Sequence, residues 1–484
     1  MKKVRTRIAP SPSSRPADEK NPNGYGIHIG NLKTGIVNYL FAMQNGGDFI
    51  YRVEDSDAAR TTKGADKVIL DDLIWSGIKP TEGHLIGGPH KSYLQSERKH
   101  IYQKYVNYLL DKNYAYKCYC DSVSLDKQRE EALAKDPKNP WKYPGTCRHQ
   151  TKDFDRPYVV RFKAPTDGAI DFDDIVFGKK SFINKENFDF VIARSDGSFL
   201  YNLTVVCDDI DMEISHIIRG ADHIKNFSSQ YMLYNAFNAN IPKMCHLSMM
   251  LNEQGLKLSK RDAAVSVCEW KSSGFSPMAL NNYLIRFGWS FGNQELFSME
   301  ELISKFKLEN CGKVDGRFNL KKLEHINTEH LKSTTLTPDA SYAQHLSPFL
   351  SSLGHNLTTE QIIPFIPLTR TRSKTFVEAA NELDPILRTE ITIDQVAKEK
   401  LITEQVKRYL SIYNNLLDTI TTWTEDNIRA ATNWWLTANN LVLKDIGQPV
   451  RLAIVGRTNS PELFQTMAAI GKDRVMKRIA DIIK

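Results

Sequence analysis

The stretch that most constrains the fold is a strand, a loop and a long helix near the start of the chain. Residues 4–9 are predicted as a short strand closed by prolines, and residues 32–41 carry apolar side chains at three- and four-residue spacing. A pair of glycines ends this predicted helix, and a second apolar segment, residues 49–53, leads into two acidic residues. This is a β-α-β unit. It predicts a parallel sheet of the doubly wound class, with a ligand site at the carboxyl ends of its strands.

The loop of this unit contains His28 and Gly30. A helix N-terminus presents free backbone N–H groups that favour a phosphate, and a histidine there can donate a hydrogen bond to a triphosphate oxygen. A glycine two residues later lets a flat base lie against bare backbone. Taken alone, His28 is better interpreted as an ordinary loop histidine. The glycines also form a loose dinucleotide fingerprint, which is weak because Gly24 lies well beyond the end of the strand.

A second segment, far downstream, decides between these interpretations. Residues 257–261 read Lys-Leu-Ser-Lys-Arg and follow an apolar run and a turn. One such segment is usually a solvated loop, but together with His-Ile-Gly, in this order and at this separation, it resembles the KMSKS and HIGH signatures of class I aminoacyl-tRNA synthetases. The resemblance implies a catalytic set of His28, Gly30, Lys257, Ser259 and Lys260, of which His28, Gly30 and Lys260 bind ATP.

Length and composition agree with a soluble enzyme of several domains. The chain has 484 residues, 41% of them hydrophobic, and no window is apolar enough to span a bilayer. A net charge of +7 permits RNA contact but does not require it. Residues 1–17 are basic like a transit peptide, but they lack the apolar core of a secretion signal and already contain the first strand. We therefore expect mature structure in the cytoplasm and no membrane partner.

The seven cysteines point to a reducing compartment and to a metal. An odd number scattered through a long chain argues against a disulfide framework. Cys118, Cys120, Cys147 and His149 bring three sulfurs and an imidazole to two hairpin-like corners, a set that suits tetrahedral zinc. The Cys-x-Cys spacing is less diagnostic than Cys-x-x-Cys, so an ordinary hairpin pair is the alternative. We predict one structural Zn²⁺.

From about residue 276 the apolar spacing is helical almost to the end of the chain. A region of this kind is usually a packed bundle whose basic residues are solvated. Only the context of the catalytic half makes RNA binding the preferred interpretation. The basic residues concerned are Arg370, Arg372, Lys374, Lys407 and Arg408.

Further segments narrow the resemblance to one family, the bacterial glutamyl-tRNA synthetases. It covers essentially the whole chain and implies ATP-dependent ligation of L-glutamate to tRNA(Glu) through glutamyl-adenylate, with Mg²⁺ accompanying ATP. The helical half is similar to the family's anticodon-binding region, whereas glutaminyl enzymes carry β-barrels there. The segments that look like the family are residues 7–12, 52–57, 194–197, 206–209, 217–223, 257–261, 449–453 and 470–472.

The resemblance also implies an amino-acid pocket. A guanidinium group binds a side-chain carboxylate through paired hydrogen-bond donors. Arg7 and Arg219 stand at the positions where the family binds the amino acid. Glu54 is expected to bind the ammonium group of the substrate, and Tyr201 is expected to line the pocket beside the substrate. The alternative for each is a structural ion pair, for which Arg219 has Asp222 nearby in sequence. The complete expected set is Arg7, Ala9, Ser11, Glu54, Tyr201 and Arg219.

The domain plan follows from the same resemblance. We expect a Rossmann-like doubly wound catalytic domain, an inserted acceptor-stem domain containing the zinc, a helical stem-contact domain and an all-α anticodon-binding domain. Within the second catalytic half, residues 199–206 are predicted as a strand. Residues 13–26 are a polar addition before the histidine and are predicted as a surface loop. The expected boundaries are 1–116 and 190–275 for the catalytic halves, 117–189 for the insertion, 276–332 for the stem-contact domain and 333–484 for the anticodon-binding domain.

The predicted tRNA specificity and the alternative functions depend on a few positions. Arg372 lies in a segment that resembles the place where an arginine accompanies strict glutamate enzymes, so it predicts rejection of tRNA(Gln). A relaxed enzyme that charges both tRNAs is the alternative. A dinucleotide-dependent oxidoreductase would use the glycines around His28 with an acid at Glu54, and a non-catalytic tRNA-binding protein would not need both Lys257 and Lys260. We expect a monomer whose partners are tRNA(Glu), ATP and L-glutamate.

Overall fold

The computed structural model describes residues 3–12, 26–56, 61–137, 141–258 and 265–484. The chain divides into two compact units, residues 1–269 with 281–319 and residues 270–280 with 320–484. Within the described ranges, no helix is long and apolar enough to cross a membrane. The strands are β1 (Arg5–Ile8), β2 (Asp48–Tyr51), β3 (Glu82–Gly83), β4 (Ala115–Cys118), β5 (Val159–Phe162), β6 (Ala169–Asp174), β7 (Gly178–Ile183), β8 (Val191–Ala193), β9 (His216–Gly220), β10 (Lys243–Leu247), β11 (Met250–Leu251) and β12 (Gly316–Arg317). The helices are α1 (Ile29–Gln44), α2 (Ala65–Trp75), α3 (Lys99–Asp111), α4 (Ser122–Lys135), α5 (Tyr201–Asp211), α6 (Phe227–Ala236), α7 (Val267–Ser272), α8 (Pro277–Ile285), α9 (Met299–Lys305), α10 (Leu320–Lys332), α11 (Asp339–Ser352), α12 (Thr359–Ile362), α13 (Phe376–Leu387), α14 (Gln395–Leu401), α15 (Glu404–Asp418), α16 (Glu425–Ala438), α17 (Leu443–Val455), α18 (Leu463–Ile470) and α19 (Lys472–Ile483).

The first unit is built on parallel strands. β1, β2 and β3 pair in that order, and both pairings are parallel. At the other side of β1, the amide of Ser215 donates to the carbonyl oxygen of Arg5 at 3.0 Å and so brings the start of β9 beside β1. From β9 the second sheet continues through β10 and β6 in parallel to the antiparallel β7. This confirms the predicted doubly wound class, in which ligands bind at the carboxyl ends of the strands.

The segment predicted as an insertion, residues 117–189, lies within the first compact unit. Its strands β6 and β7 share a hydrogen-bonded sheet with β9 and β10, and β4 and β5 share another with β8. Asp174 at the end of β6 stands opposite Met244 of β10. The insertion therefore helps to build the sheet that carries the cleft described below.

Residues 199–206 were predicted as a strand, and this was wrong. Most of them begin the helix α5, in which residues 203–209 are all buried. A helix that is buried on nearly every side loses the apolar periodicity that identifies it, and a run of Leu, Thr and Val then has the composition of a buried strand.

The second unit is all-helical in its described residues, as predicted. Its core gathers apolar side chains from α11, α13, α15 and α17 to α19, among them Tyr342, Phe376 and Leu410. One of the five basic residues that were predicted to be either solvated or RNA-binding has a structural role instead. Arg370 is only 7% exposed, and its guanidinium donates to the carbonyl oxygen of Leu331 at 2.6 Å and to Asp339 at 2.7 Å. It thereby satisfies a carbonyl group that the end of α10 leaves unpaired.

A buried carboxylate ties α5 to α3 in the first unit. Asp208 accepts hydrogen bonds from Arg98 Nε at 2.7 Å, from Tyr102 Oη at 2.9 Å and from Gln95 Nε2 at 2.8 Å. All four residues are buried. Removing charges from water is costly, and only such complete hydrogen bonding offsets the cost.

Replacing Asp208 by alanine should lower the free energy of unfolding of the first unit by about 3 to 5 kcal/mol, because Arg98 keeps its buried charge and loses a buried partner. Urea unfolding followed by fluorescence measures the change. Asp71→Ala is the matched control: it removes an exposed pair with Lys67, 2.8 Å long, and should cost about 0 to 1 kcal/mol. Equal losses in the two variants would contradict the structural role of Asp208.

Candidate active site

A cleft of about 330 Å³ opens where β1, β2, β9 and β10 end and α1 begins. Such an edge of a parallel sheet was predicted as the ligand site. The cleft brings together every described residue of the two predicted sets for catalysis and glutamate binding. Ser259 and Lys260 lie outside the described residues. The predicted residues that line the cleft are Arg7, Ala9, Ser11, His28, Gly30, Glu54, Tyr201, Arg219 and Lys257.

His28 is the N-cap of α1. Its Nδ1 accepts a hydrogen bond from the amide of Gly30 at 3.0 Å, so in the neutral ring the proton resides on Nε2. The first turn of α1 contains no acidic side chain, and the partial positive charge of this helix end is therefore not neutralised within its own turn. A proton donor and a positive helix end thus stand together at the edge of the cleft.

The histidine loop is joined to the chain that follows the lysine signature. Ile29 donates its amide hydrogen to the carbonyl oxygen of Val265 at 2.8 Å, and Val267 donates to Ile27 at 3.0 Å. The carboxylate of Asp72, on α2, accepts from the amide of Ile27 at 2.9 Å. Two segments that are more than 200 residues apart in sequence are therefore anchored to each other by backbone hydrogen bonds.

Arg7 lies at the end of β1, and its positive charge is paired with a carboxylate. Its guanidinium donates to the two carboxylate oxygens of Asp209 at 3.1 and 3.2 Å, and Arg52 donates to the same carboxylate at 2.7 Å. Burial would raise the pKa of Asp209, but the Arg7 and Arg52 guanidinium groups hold it below its usual range. Asp209 therefore remains charged. Sequence analysis gave it no role, although the neighbouring pair of aspartates was a visible signal.

Arg219, at the end of β9, has different surroundings. Its Nε donates to His246 Nε2 at 3.1 Å, one terminal nitrogen donates to Gln230 Oε1 at 2.9 Å, and the other to the carbonyl oxygen of His223 at 3.4 Å. All three acceptors are uncharged. The residue is 6% exposed, and burial lowers the pKa of Arg219. The expected alternative, an ion pair with Asp222, is not what the structure shows.

Asp222 instead pairs with the first signature lysine. Lys257 Nζ donates to its carboxylate at 2.6 Å, and the lysine side chain is 59% exposed. Burial would raise the pKa of Asp222, but the hydrogen bond from Lys257 and the nearby His223 keep it below its usual range. The lysine therefore reaches the cleft as one member of an exposed ion pair, which a negatively charged ligand can replace at small cost.

Glu54 and Tyr201 complete the polar lining. Glu54 follows β2 and accepts from Arg52 at 3.3 Å; burial raises its pKa, and the positive charges of Arg52 and Arg7 oppose that rise. Tyr201 Oη lies 3.5 Å from His223 Nδ1, and burial raises its pKa, so the phenol stays protonated at neutral pH. The cleft thus offers one carboxylate for a cation and a neutral phenol beside the two arginines.

Lys33 is a lining residue that sequence analysis missed. It lies on α1 one turn after the start of the helix, is 3% exposed, and donates to the carbonyl oxygen of Ser248 at 2.6 Å. Burial lowers the pKa of Lys33 to about 8. A signal existed, because this lysine occupies helical spacing with Ile29 and Ile36 on a face that is otherwise apolar.

Three cysteines form a cluster that fits a metal. The sulfur atoms of Cys118, Cys120 and Cys147 lie within 4.8 Å of one another. His149 is not part of this cluster of three sulfurs; it lies in the turn at residues 146–149, which also contains Cys147. The hydroxyl of Tyr143 lies 3.4 Å from the sulfurs of both Cys118 and Cys120. The three thiols fit zinc, and His149 stays the predicted fourth ligand.

We predict that the purified protein contains one zinc per chain and that Cys147→Ala loses it, because two remaining thiols are too few for a tetrahedral site. His149→Ala is the matched variant and should weaken zinc retention, because His149 is the predicted fourth ligand of the tetrahedral site. Elemental analysis by mass spectrometry gives both numbers. A metal-free wild type, or full retention of zinc by Cys147→Ala, would contradict this assignment.

Arg372 lies in the second unit, between the buried residues Arg370 and Ser373. It is exposed, and one terminal nitrogen donates to Asn459 Oδ1 at 3.1 Å. The asparagine therefore limits the directions in which the guanidinium points, while its other donors face solvent or neighbouring groups.

All seven cysteines are described and free, in agreement with the absence of a disulfide framework. Cys207 and Cys245 are buried, as expected for small apolar residues. Cys268 and Cys311 are half-buried.

Comparisons with known proteins agree over the whole chain. A family model described as the catalytic domain of class I tRNA synthetases (E and Q) matches residues 3–325, and a model of an anticodon binding domain matches residues 341–483. The glutamate–tRNA ligase of Geobacter sulfurreducens is 37% identical over 481 residues, which is 99% of this chain and 98% of the relative. That of Anaeromyxobacter dehalogenans is 36% identical over 484 residues, 100% of this chain and 99% of the relative.

A solved structure gives the same result in three dimensions. The crystal structure of a glutamate tRNA ligase from Elizabethkingia meningosepticum, in complex with its amino acid, superposes with a TM-score of 0.82 at 28% identity and covers 100% of this chain and 99% of the other. The signature residues in the cleft, the two family models and these full-length relatives lead to one conclusion. The chain belongs to the class I tRNA synthetases of the glutamate and glutamine branch.

Proposed function

We propose that this protein ligates L-glutamate to tRNA(Glu) with ATP, through a glutamyl-adenylate, and releases AMP and diphosphate. The observation that carries the proposal is the single cleft that holds His28, Lys257, Arg7 and Arg219 together. Full-length relatives named glutamate–tRNA ligase support the same activity. Neither a dinucleotide-dependent oxidoreductase nor a non-catalytic tRNA-binding protein accounts for this combination.

The first half-reaction needs charge stabilisation and no protein nucleophile. The α-carboxylate of glutamate attacks the α-phosphorus of ATP, and negative charge develops on the departing diphosphate. His28 is suited to meet that charge, since the proton on Nε2 and the helix N-terminus both favour an anion. Lys257 can exchange Asp222 for a phosphate oxygen. Lys260 and Ser259 are proposed to complete this set, together with Gly30, against which the adenine lies.

The amino-acid pocket has one group for each charge of glutamate. Glu54 is proposed to hold the ammonium, and the buried guanidinium groups of Arg7 and Arg219 to hold the carboxylates. Tyr201, Ala9 and Ser11 line the remaining space. In the second half-reaction the 2′-hydroxyl of the terminal adenosine of tRNA takes the acyl group from the adenylate, and AMP leaves.

The metals have separate parts in this proposal. Mg²⁺ enters with ATP, whose phosphates it partly neutralises. Zinc, held by Cys118, Cys120 and Cys147, would fix the corner between β4 and the turn at residues 146–149 and so supply rigidity to the acceptor-stem segment. The residues of that segment would then contact the acceptor end of the tRNA.

The remaining assignments follow the expected domain plan. Residues 1–116 and 190–275 are proposed as the catalytic domain, 117–189 as the acceptor-stem segment, 276–332 as the stem-contact domain and 333–484 as the anticodon-binding domain. We propose that the protein works as a monomer in the cytoplasm.

Charging of purified tRNA with labelled glutamate tests the proposal. Wild-type protein, ATP and Mg²⁺ should convert tRNA(Glu) to glutamyl-tRNA(Glu), and omission of ATP should abolish the product. Labelled glutamine in place of glutamate should give no product, because it lacks the second carboxylate. Charging with glutamine but not with glutamate, or no charging by folded protein, would contradict the proposal.

The choice between tRNA(Glu) and tRNA(Gln) is proposed to depend on Arg372. The two anticodons differ only at the third position, C against G, and an exposed arginine can stack on an unstacked base or bond to its edge. The contact with Asn459, at 3.1 Å, would hold the guanidinium in place for this purpose.

Arg372→Gln should raise the charging of tRNA(Gln) relative to tRNA(Glu), because it removes the group that distinguishes the two bases. A neighbouring exposed cation, Lys374, gives the control: Lys374→Gln removes an equal charge and should change both tRNAs alike. The kcat/KM for each tRNA is the measurement. Wild-type protein that charges both tRNAs equally well would show that Arg372 is not the discriminating residue.

A further inference from the structure

His246 lies beside Arg219 in the sheet, on β10, and the two residues are register partners. Its side chain is fully buried and has two hydrogen-bonded nitrogens. Nδ1 lies 2.6 Å from the Asp174 carboxylate at the end of β6, and Nε2 accepts from Arg219 Nε at 3.1 Å. Three parallel strands thus contribute one buried residue each to a chain from Asp174 through His246 to Arg219.

The residues at the two ends of this hydrogen-bonded chain determine which ring nitrogen of His246 carries the proton. A carboxylate only accepts, so the proton of the neutral ring resides on Nδ1, and the lone pair of Nε2 is left for the arginine. Asp174 is held in turn by the amides of Val176 and Phe177 at 3.0 and 2.8 Å. Burial lowers the pKa of His246; the hydrogen bond to Asp174 opposes this, and the positive charge of Arg219 adds to it.

The choice of a neutral acceptor matters for the charge of the pocket. A carboxylate at position 246 would form an ion pair with Arg219 and compete with an acidic substrate, as Asp209 already neutralises Arg7. An apolar residue would leave a buried N–H donor without a partner, which is costly. A histidine in this tautomer satisfies the donor and leaves the positive charge on the guanidinium.

We propose that His246 is a positioning residue for amino-acid binding: held by Asp174, it orients the Arg219 guanidinium toward a carboxylate of the substrate without neutralising it. The proposal rests on the proposed function, since it assumes that this cleft binds L-glutamate. It assigns the specificity of the pocket to a hydrogen-bonded chain that spans β6, β10 and β9.

Two conservative substitutions separate positioning from simple packing. The amide of glutamine reaches the place of Nε2, so His246→Gln can still accept from Arg219. The amide of asparagine reaches only the place of Nδ1, so His246→Asn keeps the contact with Asp174 and leaves Arg219 Nε without its acceptor. His246→Asn should raise the KM for glutamate about 10-fold or more, as expected for a misdirected charged hydrogen bond. His246→Gln should raise it by no more than about 3-fold.

The two roles are distinguished by whether the KM for glutamate changes while the KM for ATP does not. The thermal midpoints of His246→Asn and His246→Gln should be close, because each variant loses one buried hydrogen bond. The KM for ATP should be the same in both, because the proposed ATP contacts do not include Arg219. His216→Gln is the control, a histidine at the start of β9 that does not line the cleft. If His246→Asn fails to fold, Asp174→Asn replaces it, since an amide partner no longer fixes the proton on Nδ1 and the glutamate KM should rise in the same direction.

Equal glutamate KM values in the two His246 variants, or a parallel rise in the ATP KM, would overturn the proposal. A wild type that charges no tRNA with glutamate would overturn the proposed function instead. In that case calorimetric titration with L-glutamate decides the positioning role separately: wild type and His246→Gln should bind it more tightly than His246→Asn, and equal or absent binding in all three would overturn that role too.

Discussion

The structure depends on a difference between two buried guanidinium groups: one has a charged hydrogen-bond acceptor, and the other has only uncharged acceptors. Arg7 shares the carboxylate of Asp209 with Arg52, whereas Arg219 donates to an imidazole nitrogen, an amide oxygen and a carbonyl oxygen. A buried charge without a counter-ion is unfavourable unless something supplies the missing negative charge. In the proposed function, the side-chain carboxylate of glutamate supplies it, and the neutral side chain of glutamine does not. On that proposal, the same imbalance accounts for a preference for glutamate and for the retention of a costly arrangement.

The parallel sheet makes this arrangement possible because it brings distant residues to one edge. Strand ends contribute Arg7, Glu54 and Arg219, and the helix after the first strand contributes His28 with its positive end. The hydrogen bonds between Ile29 and Val265 and between Val267 and Ile27 then tie the histidine loop to the chain beyond residue 264. The residues proposed for amino-acid binding and those proposed for phosphate binding thus belong to one hydrogen-bonded frame.

Sequence analysis predicted the parts of the site that follow from local pattern. The β-α-β unit was visible from apolar spacing, and the resemblance to the family identified nine residues that do share one cleft. The partners of those residues were not visible: Asp174 and His246 are 72 positions apart, and only the strand order β6-β10-β9 makes them neighbours of Arg219. Another error was local: buried on nearly all sides, α5 resembled a strand.

The most direct test of this account is a crystal structure of the protein soaked with L-glutamate. We predict one carboxylate of the ligand on the terminal nitrogens of Arg219 and the ammonium on Glu54, with His246 and Asp174 unmoved and the pair between Arg7 and Asp209 intact. Glutamate bound with both carboxylates away from Arg219, or an Arg219 that turns to pair with Asp222 when the ligand enters, would contradict the claim that an uncompensated guanidinium selects the substrate.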